Sequence, residues 1–182
     1  NGGMTNHYGT PFQPEPATSD RSRTMRTLTV VLAVVAAVGT AAMGGTFFAF
    51  STFVTRSLAK RPAPEGIAAM QEINRTILGS AFMPVFLGTA ALCVATGVIA
   101  LVRWSQPGSV YLLIGSVLYL AGNLLVTGAY NVPLNNALDA LDPAAVSATE
   151  WVRWVARWQA GNHARTLTGL AATAAFALAA RG

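Results

Sequence analysis

Residues 151–165 read W-V-R-W-V-A-R-W-Q-A-G-N-H-A-R, and an uncharged segment, T-L-T-G-L-A-A-T-A-A-F-A-L-A-A, follows before Arg181. One helix face is predicted to carry Trp151, Trp154, Trp158, Asn162 and Arg165, because residues three or four apart share a face. From Arg165 to Arg181 a helix rises about 24 Å, and the hydrocarbon core of a bilayer is about 30 Å thick. If this helix spans, Asn162, His163 and Arg165 lie at or inside the edge of the apolar layer. Ionisable groups there usually face a bundle interior or a wet cavity.

Composition indicates an integral membrane protein. The 182 residues are 53% hydrophobic and only 10% charged, whereas soluble domains have about 25% charged residues. The length suits one compact domain. A net charge of +5 is, in a membrane protein, typical of contact with lipid headgroups. Aromatic and basic residues do not alternate in a nucleic-acid-binding pattern, so membrane lipids are expected partners and nucleic acid is not.

The sequence gives no indication of a metal or cofactor. Its one cysteine, Cys93, lies in an apolar run and is expected to be a small buried residue. The histidines are His7 and His163, so neither a CxxC motif nor a His/Cys cluster is present. His163 is the only plausible axial ligand for haem. We therefore expect no metal and no cofactor.

Four uncharged runs predict the fold. They cover residues 27–55, 76–102, 104–138 and 166–180. Each of the first three exceeds the roughly 20 residues that a spanning helix needs. The predicted fold class is all-α, an antiparallel four-helix transmembrane bundle over residues 27–182, in which the fourth helix has an amphipathic extension through the tryptophans. Small residues of the first helix, including Gly39, Gly44 and Gly45, are expected at helix contacts. Pro84 is expected to kink the second helix and Pro133 to end the third.

Residues 1–26 form a predicted polar N-terminal tail. They are rich in Gly, Pro, Asn and Ser and contain few large apolar residues. Such a segment does not bury enough apolar surface to fold alone. We therefore expect its contacts to be made with other molecules, in an oligomer or a larger membrane complex.

Polar side chains from all four predicted helices collect at one end of the bundle. Four spans put both termini on one side, and the first and third connections on the other. That second side receives Ser51, Gln71, Asn74, Tyr130, Asn131, Asn135, Trp158, Asn162, His163 and Arg165. Small-molecule sites are apolar cavities with a few convergent polar groups, so a site is predicted here. The alternative is a polar cap, with Gln71 and Asn74 bonded to a nearby loop, asparagines at helix ends and tryptophans in an interfacial belt.

Four motifs carry a family resemblance. They are G-G-T-F-F-A-F-S-T-F-V at 44–54, M-Q-E-I-N at 70–74, N-V-P-L-N at 131–135 and W-x3-W-x3-N-H-x-R-T at 154–166. In this order they resemble the anthrone oxygenase-like family of small four-helix membrane proteins, most of them known as a domain of unknown function. The resemblance covers residues 27–180. The family usually has Trp directly before the Asn of the last motif, where this chain has Gly161.

The resemblance implies a cofactor-independent oxygenase that acts on or binds a lipophilic aromatic, anthrone-like or quinone-like molecule. A base removes the acidic C–H proton of an anthrone, the carbanion passes an electron to oxygen, and the resulting peroxide collapses to a quinone. His163 and Arg165 are the predicted catalytic residues, His163 as the base and Arg165 as an anion stabiliser. The predicted substrate-binding residues are Gln71, Asn74, Asn131, Asn135, Trp158 and Asn162, and the aromatic residues of 47–50 are expected to stack on the rings.

Two other interpretations stay open at this point. The chain is a non-catalytic accessory subunit of a larger membrane complex, docked through its N-terminal tail and Trp-rich helix. Alternatively, it binds a lipid or small molecule without chemistry. A cavity lined by His163 and Arg165 favours an enzyme or a binding protein, whereas a closed polar end favours a subunit. For all three interpretations the expected location is the bacterial inner membrane.

Overall fold

The computed structural model describes residues 17–181, and this part of the chain is helical with short connections. Helix α1 comprises Ala17–Ala49 and continues through a π-helical segment, Phe50–Val54, into α2, Thr55–Ala59. Residues 17–26 of the predicted tail therefore form the first turns of α1, and residues 1–16 lie outside the described residues. The expectation that the tail contacts other molecules stays a prediction.

The remaining helices follow in chain order. They are α3 (Ala63–Leu78), α4 (Phe82–Val102), α5 (Ser109–Tyr119), π-helical Leu120–Leu125 and Thr127–Asn131, α6 (Val132–Asp139), a 3-10 turn (Pro143–Ala145) and α7 (Ala148–Ala180). Two proline predictions were wrong. Pro84 lies in the first turn of α4 rather than in its interior, and Pro133 lies in the first turn of α6 rather than at a helix end. Pro84 is tolerated in a first turn because its missing N–H would have no helical partner there. Pro133 instead follows a π-helical segment directly, within the continuous helical stretch Ser109–Asp139.

Four helical stretches, which contain α1, α4, α5 and α7, pack around an apolar core. Helix α1 contacts α4 and α7, and α5 contacts the same two helices, which closes the ring. The core is formed by Ala33, Ala36, Met43, Phe47, Phe86, Ala90, Cys93, Ala100, Leu112, Tyr119, Ala172, Phe176 and Ala179. A second core, under α3 and α6, contains Leu58, Ala63, Ile67, Met70, Leu138, Trp151, Val155 and Trp158.

Small residues let the helices approach closely. A Cβ on Gly44 would lie 3.2 Å from the backbone carbon of Gly169, and a Cβ on Gly39 would overlap Thr89. The prediction that these glycines lie at contacts of the first helix is confirmed for Gly39 and Gly44. It was wrong for Gly45, which is exposed and faces open space.

Gly108 is required by the turn that leads into α5. Its φ is +83°, in the left-handed region, where a side chain is strained and glycine is not. A Cβ at this position would also lie 2.9 Å from the carbonyl oxygen of Ala179. The turn between α4 and α5 can therefore pack against the end of α7.

Three helical stretches in the described chain are long and apolar enough to cross a membrane: Asp20–Ala59, Phe82–Val102 and Ser109–Asp139. The chain is accordingly a membrane protein. Four spans were predicted, and α7 is not among these three, since its first half carries tryptophan, arginine and amide side chains. The predicted helical extension through the tryptophans is present in α7, which begins with a capping box between Ser147 and Glu150.

Candidate functional site

A cavity of about 230 Å³ opens between α1, α3, α4, α6 and α7. Its wall is mostly apolar, with a few polar side chains from four different helical segments. The lining residues are Thr46, Phe47, Phe50, Met70, Ile73, Asn74, Arg75, Ile77, Leu78, Phe82, Met83, Phe86, Thr127, Val132, Asn135, Asn136, Asp139, Trp158 and Arg165. Apolar walls with a few convergent polar groups are typical of small-molecule sites.

Arg165 is a buried charged residue among those that line this cavity, and only 5% of it is exposed. Its Nη1 donates to Thr127 Oγ1 at 3.2 Å and its Nη2 donates to Asn162 Oδ1 at 2.8 Å. The guanidinium carbon lies 4.2 Å from the ring centre of Phe47 and 5.3 Å from that of Trp158. Two aromatic faces thus replace a counter-ion, because ring quadrupoles attract cations.

From the sequence, the Arg165 guanidinium is expected to bond one or more of the polar side chains grouped at the same end of the bundle, Gln71, Asn74, Asn131 or Asn135, beside His163 or Trp158. The hydrogen-bonding part of that prediction was wrong, since the guanidinium bonds Thr127 and Asn162 instead. Its position beside Trp158 is confirmed.

Asn162 connects Arg165 to α1. While its Oδ1 accepts from Arg165, its Nδ2 donates to the carbonyl of Phe47 at 2.8 Å and to Ser51 Oγ at 2.7 Å. Ser51 in turn pairs with Thr166 at 3.0 Å. Asn162 is fully buried, so its amide is used to orient the arginine and is not presented to the cavity.

Three π-helical segments lie near the hydrogen-bonded group formed by Arg165, Asn162 and Ser51. One, Phe50–Val54, contains Ser51, and another, Thr127–Asn131, contains Thr127 and Asn131. The third, Leu120–Leu125, contains Asn123, which donates to Thr168 at 3.2 Å. π-Helical turns shift the register of a helix and occur frequently at functional sites. Here they bring hydroxyl and amide groups of α1 and of the α5–α6 stretch toward the same part of α7.

Phenylalanines form the opposite wall of the cavity. The rings of Phe82 and Phe86 are stacked, with centroids 5.6 Å apart, and Phe82 meets Phe47 edge-on at 6.0 Å. On the other side of Arg165, the rings of Phe50 and Trp158 lie 5.8 Å apart. Such a wall accommodates flat apolar molecules, because aromatic rings favour offset stacking and edge contacts.

The rim of the cavity carries an ion pair. Arg75 of α3 donates to Asp139 Oδ1 of α6 from Nε at 3.1 Å and from Nη2 at 2.8 Å. Both side chains are about half exposed, so the pair contributes little stability. Asp139 carries the only carboxylate among the described residues that line the cavity.

Two nitrogen donors on the cavity wall have no partner within the described chain. They are Arg165 Nε and Asn74 Nδ2, and both atoms are shielded from solvent. A buried donor without an acceptor costs about 1–3 kcal/mol. Both nitrogens belong to residues that line the cavity, but they are out of contact with solvent-sized space, so a carbonyl or phenolate oxygen would reach them only if these side chains turned toward the cavity.

The predicted site residues divide into two groups. Arg165, Asn74, Asn135 and Trp158 line the cavity, and their predicted roles toward a substrate stay predictions. Asn135 there accepts a 2.7 Å bond from Trp158 Nε1.

The second group does not reach the cavity wall. Gln71 donates to the carbonyls of Leu138 and Leu141 at 2.9 and 3.0 Å, which is the loop contact considered as its alternative role. Asn131 is buried and donates to the carbonyl of Trp158 at 3.2 Å, and Asn162 orients Arg165.

His163 belongs to the same second group. It is exposed, while its neighbours Asn162 and Arg165 are buried. A residue adjacent to Asn162 points about 100° away from it on a helix. The histidine is therefore on the outer face of α7 and does not line the cavity.

The tryptophan face of α7 is largely used inside the chain. Trp151 and Trp158 are 2% and 5% exposed and belong to the second core. Trp154 stacks between them and donates to the carbonyl of Leu134 at 3.1 Å. These contacts fix α7 against α3 and α6. Docking of a partner through this face stays a prediction.

Gly161 provides room for the π-helical segment beside it. A Cβ there would lie 2.5 Å from Tyr130 Cδ1 and 2.5 Å from Asn131 Oδ1. A tryptophan, the residue usual in the family motif, does not fit in this arrangement. The aromatic side chain in this space is Tyr130, whose hydroxyl donates to the carbonyl of Arg157 at 3.0 Å.

Sequence reasoning missed three contributors to the site. Thr127 was not among the predicted site residues, yet it binds Arg165. Phe82 and Phe86 were not singled out, although their i, i+4 spacing at the start of an apolar run is the signal that could have found them.

Fold and site together define the class: a helical membrane protein with an aromatic cavity and a buried arginine. The anthrone oxygenase family model matches residues 77–175, so the chain belongs to the anthrone oxygenase family. The family resemblance inferred from the four motifs is thereby confirmed. Neither a search of curated proteins nor a search of solved structures returned a match.

Proposed function

We propose that this protein is an oxygenase that acts on a lipophilic aromatic ketone with an acidic C–H group, as in an anthrone. One observation carries the proposal: a buried guanidinium belongs to the lining of an aromatic cavity, and its Nε has no partner within the described chain. Family membership supports the reaction class.

Arg165 and Asn74 are assigned to the substrate oxygen. Deprotonation of an anthrone moves negative charge onto its ketone oxygen, and preorganised donors stabilise such an oxyanion more than they stabilise the neutral ketone. Arg165 Nε and Asn74 Nδ2 have no partner within the described chain, and both residues line the cavity. The rings of Phe82 and Phe86 provide a surface for the tricycle.

The proton acceptor is assigned to Asp139 in place of His163. A general base must come within hydrogen-bond reach of the proton that it removes. Asp139 lines the cavity, whereas His163 lies on the outer face of α7. The bond that Asp139 accepts from Arg75 fixes the carboxylate at the rim.

The reaction balances without any oxidant other than oxygen. The C–H bond breaks and its proton goes to the base. The carbanion transfers one electron to O2, the carbon radical and superoxide combine into a peroxide anion, and this anion takes the proton back from the base. Loss of water from the peroxide leaves a second carbonyl, so that an anthrone and O2 give an anthraquinone and water. The protein supplies a dry pocket, a base and oxyanion donors.

We also propose that α7 spans together with the three apolar stretches, in an antiparallel four-helix bundle of the bacterial inner membrane. Contacts along α1 and α7 run in opposite directions: Thr40 bonds Thr173 at 2.9 Å, and Ser51 bonds Thr166 at 3.0 Å. Burial of α7 among its neighbours explains how a less apolar helix is accommodated, since polar residues in a membrane face the bundle interior.

The decisive experiment measures anthrone-to-anthraquinone conversion by absorbance, using purified protein in detergent. Asn74→Leu should lower kcat by roughly 100-fold, the loss typical of one oxyanion donor, without loss of fold, because Asn74 Nδ2 has no partner within the described chain. Asp139→Asn should lower kcat by roughly 100-fold or more.

His163→Ala is the matched control and should retain activity. Loss of turnover in a folded His163→Ala protein, with Asp139→Asn active, would return the base role to His163. If folded wild-type protein binds anthrones but never converts them, the protein is a binding protein and the oxygenase proposal fails.

A further inference from the structure

A second cavity lies at the other end of α1. It has a volume of about 440 Å³ and is lined by residues from the start of α1, the α4–α5 turn and the end of α7. Arg26 on its wall and Phe47 on the wall of the first cavity are 21 positions apart in α1, about 30 Å along a helix. The two cavities are therefore separate.

Three arginines dominate this cavity. Arg23, Arg26 and Arg103 line it, together with the polar side chains of Ser22, Thr29, Gln106 and Ser109. None of the described residues on its wall is acidic. Asp20 lies one turn from Arg23 on α1, but it is exposed, and exposed pairs are weak. The described part of the wall thus carries three arginines and no carboxylate.

Arg103 is held in place toward this cavity. Its Nη1 donates to Thr29 Oγ1 at 3.2 Å and to the carbonyl of Met25 at 3.4 Å. Both bonds use the same nitrogen, whereas a guanidinium has five N–H donors in a planar fork. The other nitrogens of the Arg103 guanidinium can still donate to an anion with several oxygens, because arginine binds phosphate oxygens in pairs.

The cavity is at the level expected for lipid headgroups. Arg103 directly follows the apolar stretch Phe82–Val102, and Val102 and Trp104 are 79% and 55% exposed. Exposed tryptophan at the end of an apolar helix is typical of the membrane–water interface. Arg23 and Arg26 lie near the start of the apolar stretch Asp20–Ala59.

We propose that the arginine cavity binds a phosphate group, either the phosphodiester of an anionic phospholipid or inorganic phosphate from solution. The proposal does not depend on the oxygenase reaction. Basic pockets at the ends of membrane helices are suited to anionic headgroups. A bound lipid would hold the start of α1 against the α4–α5 turn, which share the cavity wall.

The test measures the thermal unfolding of the purified protein in neutral detergent with added lipid or phosphate. Phosphatidylglycerol, phosphatidylcholine and inorganic phosphate are titrated separately, since a ligand that binds only the native state raises Tm. The pocket variant is Arg23→Gln/Arg26→Gln/Arg103→Gln. The control variant, Arg56→Gln/Arg153→Gln/Arg157→Gln, removes the same charge from exposed positions elsewhere.

Phosphatidylglycerol should raise Tm of the wild-type and control proteins, and its affinity should fall about 100-fold in the pocket variant, at roughly fivefold for each arginine. Stabilisation by phosphatidylglycerol and not by inorganic phosphate identifies the lipid headgroup as the ligand. Equal stabilisation by inorganic phosphate identifies free phosphate. The proposal is overturned if neither ligand stabilises the wild-type protein, or if the control and pocket variants lose phosphatidylglycerol affinity equally. If the pocket variant fails to fold, Arg26→Gln alone should still lower the affinity about fivefold.

Discussion

Asn162→Ala tests the reasoning about the buried arginine most directly. The amide of Asn162 accepts from Arg165 Nη2 at 2.8 Å and donates to α1 at the Phe47 carbonyl and at Ser51 Oγ. Alanine removes all three bonds at once. It leaves the guanidinium bonded to Thr127 alone, and it leaves the Phe47 carbonyl without its side-chain donor.

The expected loss of stability is about 3–4 kcal/mol. A bond to a charged group contributes about 1.5–3 kcal/mol, whereas neutral bonds between membrane helices average only about 0.6 kcal/mol. The charged bond therefore dominates the sum, and the two bonds to α1 add about 1.2 kcal/mol. Cation–π contact with Phe47 and Trp158 keeps the remaining arginine from being fully unpaired.

The assay is reversible unfolding in mixed micelles with increasing sodium dodecyl sulfate, followed by helical circular dichroism. Thr173→Val is the matched control, because it removes one neutral bond between the same two helices, the 2.9 Å contact with Thr40, and keeps the side-chain volume. We expect about 0.6 kcal/mol for that control. If Asn162→Ala is no more destabilised than Thr173→Val, the arginine network is not a major source of stability and the reasoning is refuted.

Three further substitutions test single structural features. Gly108→Ala should destabilise by about 1–2 kcal/mol in the same unfolding assay, because alanine is strained at positive φ; no change would mean that the turn adjusts. Gly161→Trp should displace Tyr130 and lower Tm, and an unchanged Tm would show that the space is larger than described. Hydrogen bonds from Ser147 lower the pKa of Glu150 from 4.5, so this cap stabilises α7 above the unfolded pKa and is lost as the pH falls through the lower folded pKa. Hydrogen exchange of the first turn of α7 should become faster as the pH is lowered. This pH dependence should disappear in Glu150→Gln.

Most of the fold could be predicted from uncharged runs, because charge is costly in an apolar layer whatever the tertiary contacts. Helix ends were less predictable. Uncharged residues 76–102 contain the end of α3, a turn and all of α4, and nothing in hydropathy marks a break between apolar residues. The sequence also did not reveal that the helix continues past Pro133, since the π-helical segment before this proline changes which N–H groups need partners.

The candidate site was predictable as a region but not atom by atom. Helical spacing brought Asn162 and Arg165 to one face, and that face is buried. Adjacent His163 was grouped with them because it is the only histidine near the site in sequence, yet a rotation of about 100° per residue places it outside. Thr127 reaches Arg165 from a π-helical segment, which helical spacing of 3.6 residues does not describe.

The buried arginine and the π-helical segments are best understood as one arrangement. A guanidinium in an apolar bundle needs acceptors, but regular α-helices direct their carbonyls along the helix axis and leave none for a neighbour. The π-helical segments flank the positions that serve Arg165: the Phe47 carbonyl reached through Asn162, and the Thr127 hydroxyl. Arg165 donates from Nη1 to Thr127 and from Nη2 to Asn162, whereas its Nε has no partner within the described chain. Arg165 therefore keeps a donor without a partner in a side chain that lines the cavity, and this is the feature that supports the proposed contact with a ligand oxygen.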